Sequence, residues 1–246
     1  MSLTVMAWDT SSPWCSLTLI TYDEAGKSIV LGEFLSDEGT QSQMLPAQVG
    51  RLLAEAHLSP ADLDLVAVGR GPGSFTGLRT GLALAKGMAW GAGKPVLGLS
   101  SLEVAAASYL SETGDREALI VPIIDARHRQ VFAALYQPVA EAYPLLPLLP
   151  PQPVAPEELP DLVGQAAAGR PVVLTGPALD LVLAAQPAGL PAPLSPAPRT
   201  IAPLARDLAN LARLKLRSDP EAASLHPPIP MYIRQPDIRK TGLALR

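Results

Sequence analysis

One pattern occurs twice along this chain. An apolar, β-type run at Leu3–Trp8 ends on Asp9, passes through the turn-prone Thr10-Ser11-Ser12-Pro13, and resumes at Cys15. Val121–Asp125 does the same through the polar Ala126–Arg129 and resumes at Val131, so in both places the β run restarts six positions after the aspartate. A second echo follows each copy. Leu65–Gly69 runs into Gly71-Pro72, and the strand-like run from Pro171 reaches Gly176-Pro177, each broken by Gly-Pro before a helical pattern. Short strands alternating with helices indicate an α/β fold, and the repeated order indicates a duplication. The economical division is two α/β domains, 1–103 and 104–246.

Between the strands the period changes. Met44 or Leu45, then Gln48 or Val49, Leu52, Leu53 and Ala56 recur at helical spacing, predicting a helix over Thr40–Ala56. Phe75–Trp90 is a second helix, with Leu78, Leu82, Ala85 and Ala89 on one face; Gly77, Gly81 and Gly87 weaken it by roughly 1 kcal/mol each relative to alanine. Such small residues permit close approach of another backbone. Ser100 or Ser101 caps a further helix, and Thr200 caps a last one along Ile201, Leu204, Ala205, Leu208, Leu211 and Ala212. Ser28–Ser36 and Pro230–Ile233 read as strands. Of the 27 prolines, 16 lie between Pro138 and Pro203, and the dense stretches Pro144–Pro153 and Pro187–Pro198 read as connectors, since proline is excluded from central strands and helix interiors.

Composition removes several classes of function. Of 246 residues, 48% are hydrophobic and 17% charged, which places the chain among globular proteins. A net charge of −4 gives no basic surface for broad nucleic-acid or anionic-membrane binding. The basic end with Arg234, Arg239, Lys240 and Arg246 reads as a solvated terminus. The single cysteine, Cys15, allows no internal disulfide and no thiolate cage, and reads as a buried inert thiol. With Asp9 interrupting the first apolar stretch and no apolar segment of about 20 residues, the expected location is the cytoplasm.

Two segments could carry chemistry. Gly69-Arg70-Gly71-Pro72-Gly73-Ser74-Phe75-Thr76-Gly77 leads from a strand into a helix N-terminus, where backbone N–H groups and the helix dipole favour phosphate or carboxylate. It is not a P-loop, because the next lysine is Lys86, and its glycine intervals do not fit a dinucleotide fingerprint. A plain tight turn explains the glycines as well. Asp9-Thr10-Ser11-Ser12 could hold a hydrated Mg²⁺ and phosphate oxygens, or Asp9 could only organise the turn. The candidate nucleotide or anion residues are therefore Asp9, Thr10, Ser11, Gly71, Gly73, Ser74, Thr76 and Gly77, while Asp125 could face Asp9 across a cleft or equally end its strand with a cap. His57, His128 and His226 are scattered without metal-ligand spacing, and no Gly-x-Ser-x-Gly elbow occurs.

Met6-Ala7-Trp8-Asp9-Thr10-Ser11, the Gly69–Gly81 segment, Ile124-Asp125-Ala126-Arg127 and Met231-Tyr232-Ile233-Arg234 occur in the same order in the TsaB (YeaZ) family, which the chain resembles over nearly its whole length. The resemblance implies an actin-like, Hsp70-like ATPase (ASKHA) fold of two ribonuclease-H-like domains, with mixed sheets flanked by helices. It implies a non-catalytic subunit of the machinery that makes N6-threonylcarbamoyladenosine at position 37 of tRNA. The implied partners are a catalytic TsaD-type subunit and a TsaE-type ATPase, with a homodimer when alone and tRNA met only through the complex. No cofactor is certain, and ATP or ADP with Mg²⁺ at a subunit junction is left open. The implied partner-binding surface is the first two helices, giving Leu45, Val49, Leu52, Leu78, Gly81, Leu82 and Ala85 as interface candidates. The segment Asp37–Gln41 departs from the family, with Gly39 where a histidine is common. An independent ATPase or small-molecule kinase, and a metallopeptidase, are the competing readings.

Overall fold

The computed structural model describes residues 2–36, 44–140, 143–223 and 228–233. Two five-stranded mixed sheets form the molecule. The first contains β1 (Leu3–Asp9), β2 (Cys15–Tyr22), β3 (Ser28–Ser36), β4 (Leu65–Gly69) and β5 (Val96–Leu99), in the order β3-β2-β1-β4-β5. The second contains β6 (Leu119–Arg127), β7 (Gln130–Pro138), β8 (Leu145–Val154), β9 (Val172–Thr175) and β10 (Leu194–Pro196), in the order β10-β9-β6-β7-β8. In each sheet the first three strands are antiparallel and the last two run parallel to the first. The helices repeat as well. α1 (Leu45–Glu55), α2 (Phe75–Ala92) and α3 (Ser101–Thr113) follow β3, β4 and β5. α4 (Leu159–Ala167), α5 (Leu179–Ala184) and α6 (Ala205–Ser218) follow β8, β9 and β10. The duplication read from two aspartates thus extends to all ten strands and six α-helices among the described residues.

Side-chain alternation on the central strands builds three cores. On β1, Met6 and Trp8 face α1 and α2, whereas Val5 and Ala7 face the layer between the sheets. On β6, Leu119, Val121 and Ile123 face α4 and α5, whereas Ile120 and Ile124 turn inward. The middle layer is exchanged between the halves: α6 packs on β1 and β2, and α3 on β6 and β7. Each sheet is therefore buried on both faces, which explains the almost unbroken apolar runs of β1, β4 and β6.

Several expectations need correction. The proline-dense stretches are not only connectors: Leu145–Val154 and Leu194–Pro196 are the two edge strands of the second sheet. An edge strand needs donors on one side alone, so proline is tolerated there and also discourages pairing with another chain. The last helix begins at Ala205 rather than after Thr200. Its first amides are capped from elsewhere in the fold: Leu204 N–H donates to Ser108 Oγ (2.9 Å) and Ala205 N–H to Ser16 Oγ (2.7 Å). Pro230–Ile233 forms no strand, although Met231 N–H donates to the Arg70 carbonyl at 2.7 Å. The first helix is observed from Leu45; residues 40–43, Gly39, His226 and the basic residues from Arg234 onward lie outside the described residues.

Candidate functional site

Asp9 closes β1 and is 1% exposed. Its Oδ1 accepts from the Ser11 amide (2.8 Å) and the Ser11 hydroxyl (2.6 Å), and its Oδ2 accepts from the Ser101 hydroxyl (2.6 Å). Ser101 Oγ in turn accepts from the Gly71 amide at 3.2 Å. A Cβ on Gly69 would lie 1.8 Å from Asp9 Oδ2, so only glycine lets β4 run beside this carboxylate. Burial raises the Asp9 pKa, against the lowering effect of the Ser101 and Ser11 hydrogen bonds. The Cys15 thiol is pushed up to about 12 by burial and, secondarily, by the Asp9 charge, in keeping with an inert thiol.

The glycines of the Gly69–Gly81 segment serve the same close packing. Thr10 Oγ1 donates to the Gly77 carbonyl (2.8 Å) and Trp8 Nε1 to the Gly81 carbonyl (3.0 Å), drawing α2 onto the end of β1. A Cβ at Gly77 would meet the Thr10 carbonyl at 2.0 Å, and one at Gly81 the Thr10 hydroxyl at 2.6 Å. The Gly71 amide is used by Ser101 Oγ of α3 and the Gly77 amide by Ser74 Oγ. The Ser74 amide is used as well, by the Ser11 carbonyl.

Above this locked layer lies a cavity of about 640 Å³. The β1–β2 turn (Ser11, Ser12) and the α2 N-terminus (Ser74, Thr76) form one wall, and the β6–β7 hairpin (Asp125–His128) forms the other. Phe75, Phe132 and Tyr232 add apolar surface. Of the candidate anion residues, Ser11, Gly73, Ser74 and Thr76 line the cavity; Asp9, Thr10, Gly71 and Gly77 do not. The carboxylate that reaches it is Asp125, whose Oδ1 accepts from the Arg127 amide (2.7 Å) and whose Oδ2 pairs with the Arg127 guanidinium (3.2 Å). Asp9 and Asp125, equivalent in the duplication, thus have different fates.

The hairpin lip is strained, with Arg127, His128 and Arg129 all at positive φ (63°, 51° and 62°). Tyr232 crosses to the other wall. Its ring lies 5.6 Å from Phe75, its hydroxyl accepts from Arg79 Nε (3.3 Å), and the Arg79 guanidinium sits 3.7 Å over the Phe75 ring. Phe75 and Tyr232 were not among the expected site residues, because neither an apolar residue at a helix start nor one near a terminus signals a cleft. Among the described residues no group of three or more His, Cys, Asp and Glu side chains is placed to hold a metal ion. No helix among them is long and apolar enough to cross a membrane.

The expected interface residues occupy a different place. Leu45, Val49, Leu52, Leu82 and Ala85 are buried against the chain's own first sheet, Leu78 is buried beside the Gly71 loop, and Gly81 lies under α2 against Trp8 and Thr10. The small-residue face of α2 serves packing within this chain. The outward faces carry Met44, Arg51, Arg79, Lys86, Gly87 and Trp90, the last 81% exposed.

Comparison with known proteins now bears on this arrangement. Residues 40–145 match the family described as TsaD, tRNA N6-adenosine threonylcarbamoyltransferase. The Bacillus subtilis tRNA threonylcarbamoyladenosine biosynthesis protein TsaB is 37% identical over 137 residues, 55% of this chain and 56% of that protein. Its Escherichia coli namesake is 36% identical over 133 residues, 54% of each. A Pseudomonas aeruginosa structure, described as an uncharacterized protein with similarity to peptidase YEAZ, superposes with a TM-score of 0.76 at 27% identity, covering 94% of this chain and 100% of that one. The chain is similar in sequence to TsaB proteins and in fold to YeaZ structures. Its fold is the ASKHA fold, two ribonuclease-H-like mixed sheets flanked by helices. The aligned region spans about half the length of the curated TsaB relatives. The signature stretches around Asp9, Gly69–Gly81 and Asp125 coincide with the cavity and the packing beneath it.

Proposed function

We propose that this chain is a non-catalytic partner subunit in tRNA threonylcarbamoyladenosine biosynthesis, docking a TsaD-type catalytic subunit and working beside a TsaE-type ATPase in the cytoplasm. The observation that carries the non-catalytic part is the state of Asp9. A carboxylate at the end of the first strand, 1% exposed and committed to Ser11 and Ser101, is a structural clamp rather than a ligand for a hydrated Mg²⁺. The docking surface in this reading is the outward face of α1 and α2. Trp90 is its anchor, since an exposed tryptophan offers the largest apolar contact on that face. Homodimers of the isolated chain would use the same face, and tRNA would be met only within the complex. The 1–103 and 104–246 halves act as one body in this reading, tied by α3, which crosses the division at its first turn and packs on β6 and β7, and by α6, which packs on β1 and β2.

One observation favours a second reading, an independent ATPase or small-molecule kinase. The cavity above Asp9 is large and lined by Ser11, Ser74, Thr76 and Asp125, groups suited to a polar, phosphate-bearing ligand. A reconstitution separates the two. If the chain is a partner subunit, tRNA modification by the TsaD-type protein of the same organism rises when the chain is added, and the chain alone turns over no ATP. Magnesium-dependent ATP turnover by the chain alone, abolished by Asp125→Asn, would replace the first reading with the second.

A further inference from the structure

A second cavity, of about 290 Å³, opens between α3 and α6 on the side away from the cleft, against Arg116 and Pro144. One of its linings is Asp207, which is 7% exposed and whose Oδ2 has no hydrogen-bond partner. The duplication makes this oxygen conspicuous. Glu103 is the third residue of α3 and Asp207 the third residue of α6, so the two acids are equivalent in the two halves. Glu103 is satisfied by the Tyr143 hydroxyl at 2.9 Å. On Asp207 the Oδ2 oxygen has no such partner. Burial raises the Asp207 pKa, and hydrogen bonding from Ser111 and Ser108 to the carboxylate offsets it in part. Ser108 Oγ also lies 2.9 Å from the Val104 carbonyl, and Ser111 Oγ 3.3 Å from the Ser108 carbonyl. A buried carboxylate oxygen without a donor is costly to hold, and in native proteins such a group calls for an explanation.

The same cavity supplies the opposite charge. Arg116 lines it while donating through NH1 to the Val139 carbonyl at 3.0 Å. Asn210 lines it too, with its oxygen accepting from Arg213 (3.1 Å), which makes the amide nitrogen its donor end. Leu110, Leu211 and Leu214 provide apolar wall. We infer that this cavity binds a small zwitterionic amino acid, with the ammonium on Asp207, the carboxylate on Arg116 and Asn210, and a short side chain against the leucines. Each ligand charge then meets its complement, and the orphaned oxygen gains a charge-assisted donor, the stronger class of hydrogen bond. The inference stands apart from the docking face, which lies on the outer side of the first sheet.

Isothermal titration of the full-length chain at neutral pH tests it, with L-alanine, L-serine and L-leucine as probes. Ethylamine and propionate, each keeping one of alanine's two charged groups, are the controls. The expected result is saturable binding of at least one amino acid, with both controls weaker by about tenfold or more, equivalent to about 1.4 kcal/mol. Asp207→Asn and the rim variant Arg116→Gln should each weaken binding by about tenfold or more, in line with losing a charged hydrogen-bond partner. Arg116 is exposed, so Arg116→Gln keeps the test decisive should Asp207→Asn alter folding. Absence of saturable binding for all three amino acids would overturn the assignment. So would affinity unchanged in both variants, or ethylamine binding as tightly as alanine.

Discussion

Ser101 donates a hydrogen bond to Asp9 at 2.6 Å across 92 residues of sequence. The bond joins the start of α3 to the end of β1, and the Gly71 amide completes the link by donating to Ser101 Oγ. An aspartate that looks like a cleft ligand in the sequence is thus the knot that ties a strand, a loop and a helix.

Asp9→Ala should therefore destabilise the fold. It removes three accepted hydrogen bonds and leaves the Ser11 and Ser101 donors buried, a loss of about 2–3 kcal/mol. Urea unfolding followed by circular dichroism reads this directly, and a midpoint equal to that of the wild type would contradict the clamp.

Two glycines of α2 should respond oppositely to arginine. At Gly81 even a Cβ meets Thr10 Oγ1 at 2.6 Å and Trp8 Nε1 at 3.3 Å, so Gly81→Arg should lower stability by about 3 kcal/mol or prevent folding. A Cβ at Gly87 meets nothing within 4 Å, so Gly87→Arg should fold normally and gain helix propensity of about 0.5–1 kcal/mol. Thermal unfolding of the pair checks the contrast; equal losses would contradict the packing of α2 on β1.

Stability should also carry a pH signature from Asp207. Burial is the largest influence on its pKa and raises it, so the folded state holds the proton where the unfolded chain, near the ordinary 3.8, has released it. Its contribution is then fully present below about pH 4 and is lost as pH rises through the folded pKa. Relative to the wild type, Asp207→Asn should accordingly gain stability between pH 4 and pH 7. Denaturant melts at the two pH values measure the gap, and a gap that does not widen toward neutrality would refute the shift.

Cys15 gives a simple probe of opening. It is 2% exposed with its thiol pushed up to about 12, so a disulfide reagent at neutral pH should label it only as fast as the chain unfolds. Rapid labelling of the folded protein would mean that β2 is more accessible than its packing indicates.

The sequence carried most strands, most helices and the duplication, because Asp9 and Asp125 end runs whose apolar residues fill both faces of a covered sheet. It misled where a local rule met a tertiary one. Proline argued against strands at Leu145–Val154 until the edge position became visible, and Thr200 looked like a cap although Ser108 and Ser16 provide the caps from distant elements. For the site, part of the loop from Gly69 to Gly77 lines the cavity, but glycine content cannot distinguish a cradle for an anion from room for a neighbouring carboxylate. Gly69 against Asp9 and Gly77 against Thr10 are the second kind. The same ambiguity assigned Gly81 and Ala85 to a partner when Trp8 and the first sheet already cover them.

The most direct test of the partner-subunit account is size-exclusion chromatography with light scattering on the chain mixed with the TsaD-type protein of the same organism. Wild-type chain should form a one-to-one complex. Trp90→Ala and Gly87→Arg, folded but altered on the outward face of α2, should weaken it by about 30-fold or more, the scale of losing a 2 kcal/mol anchor. Separate elution of the two wild-type proteins, with ATP turnover by this chain alone, would contradict the account.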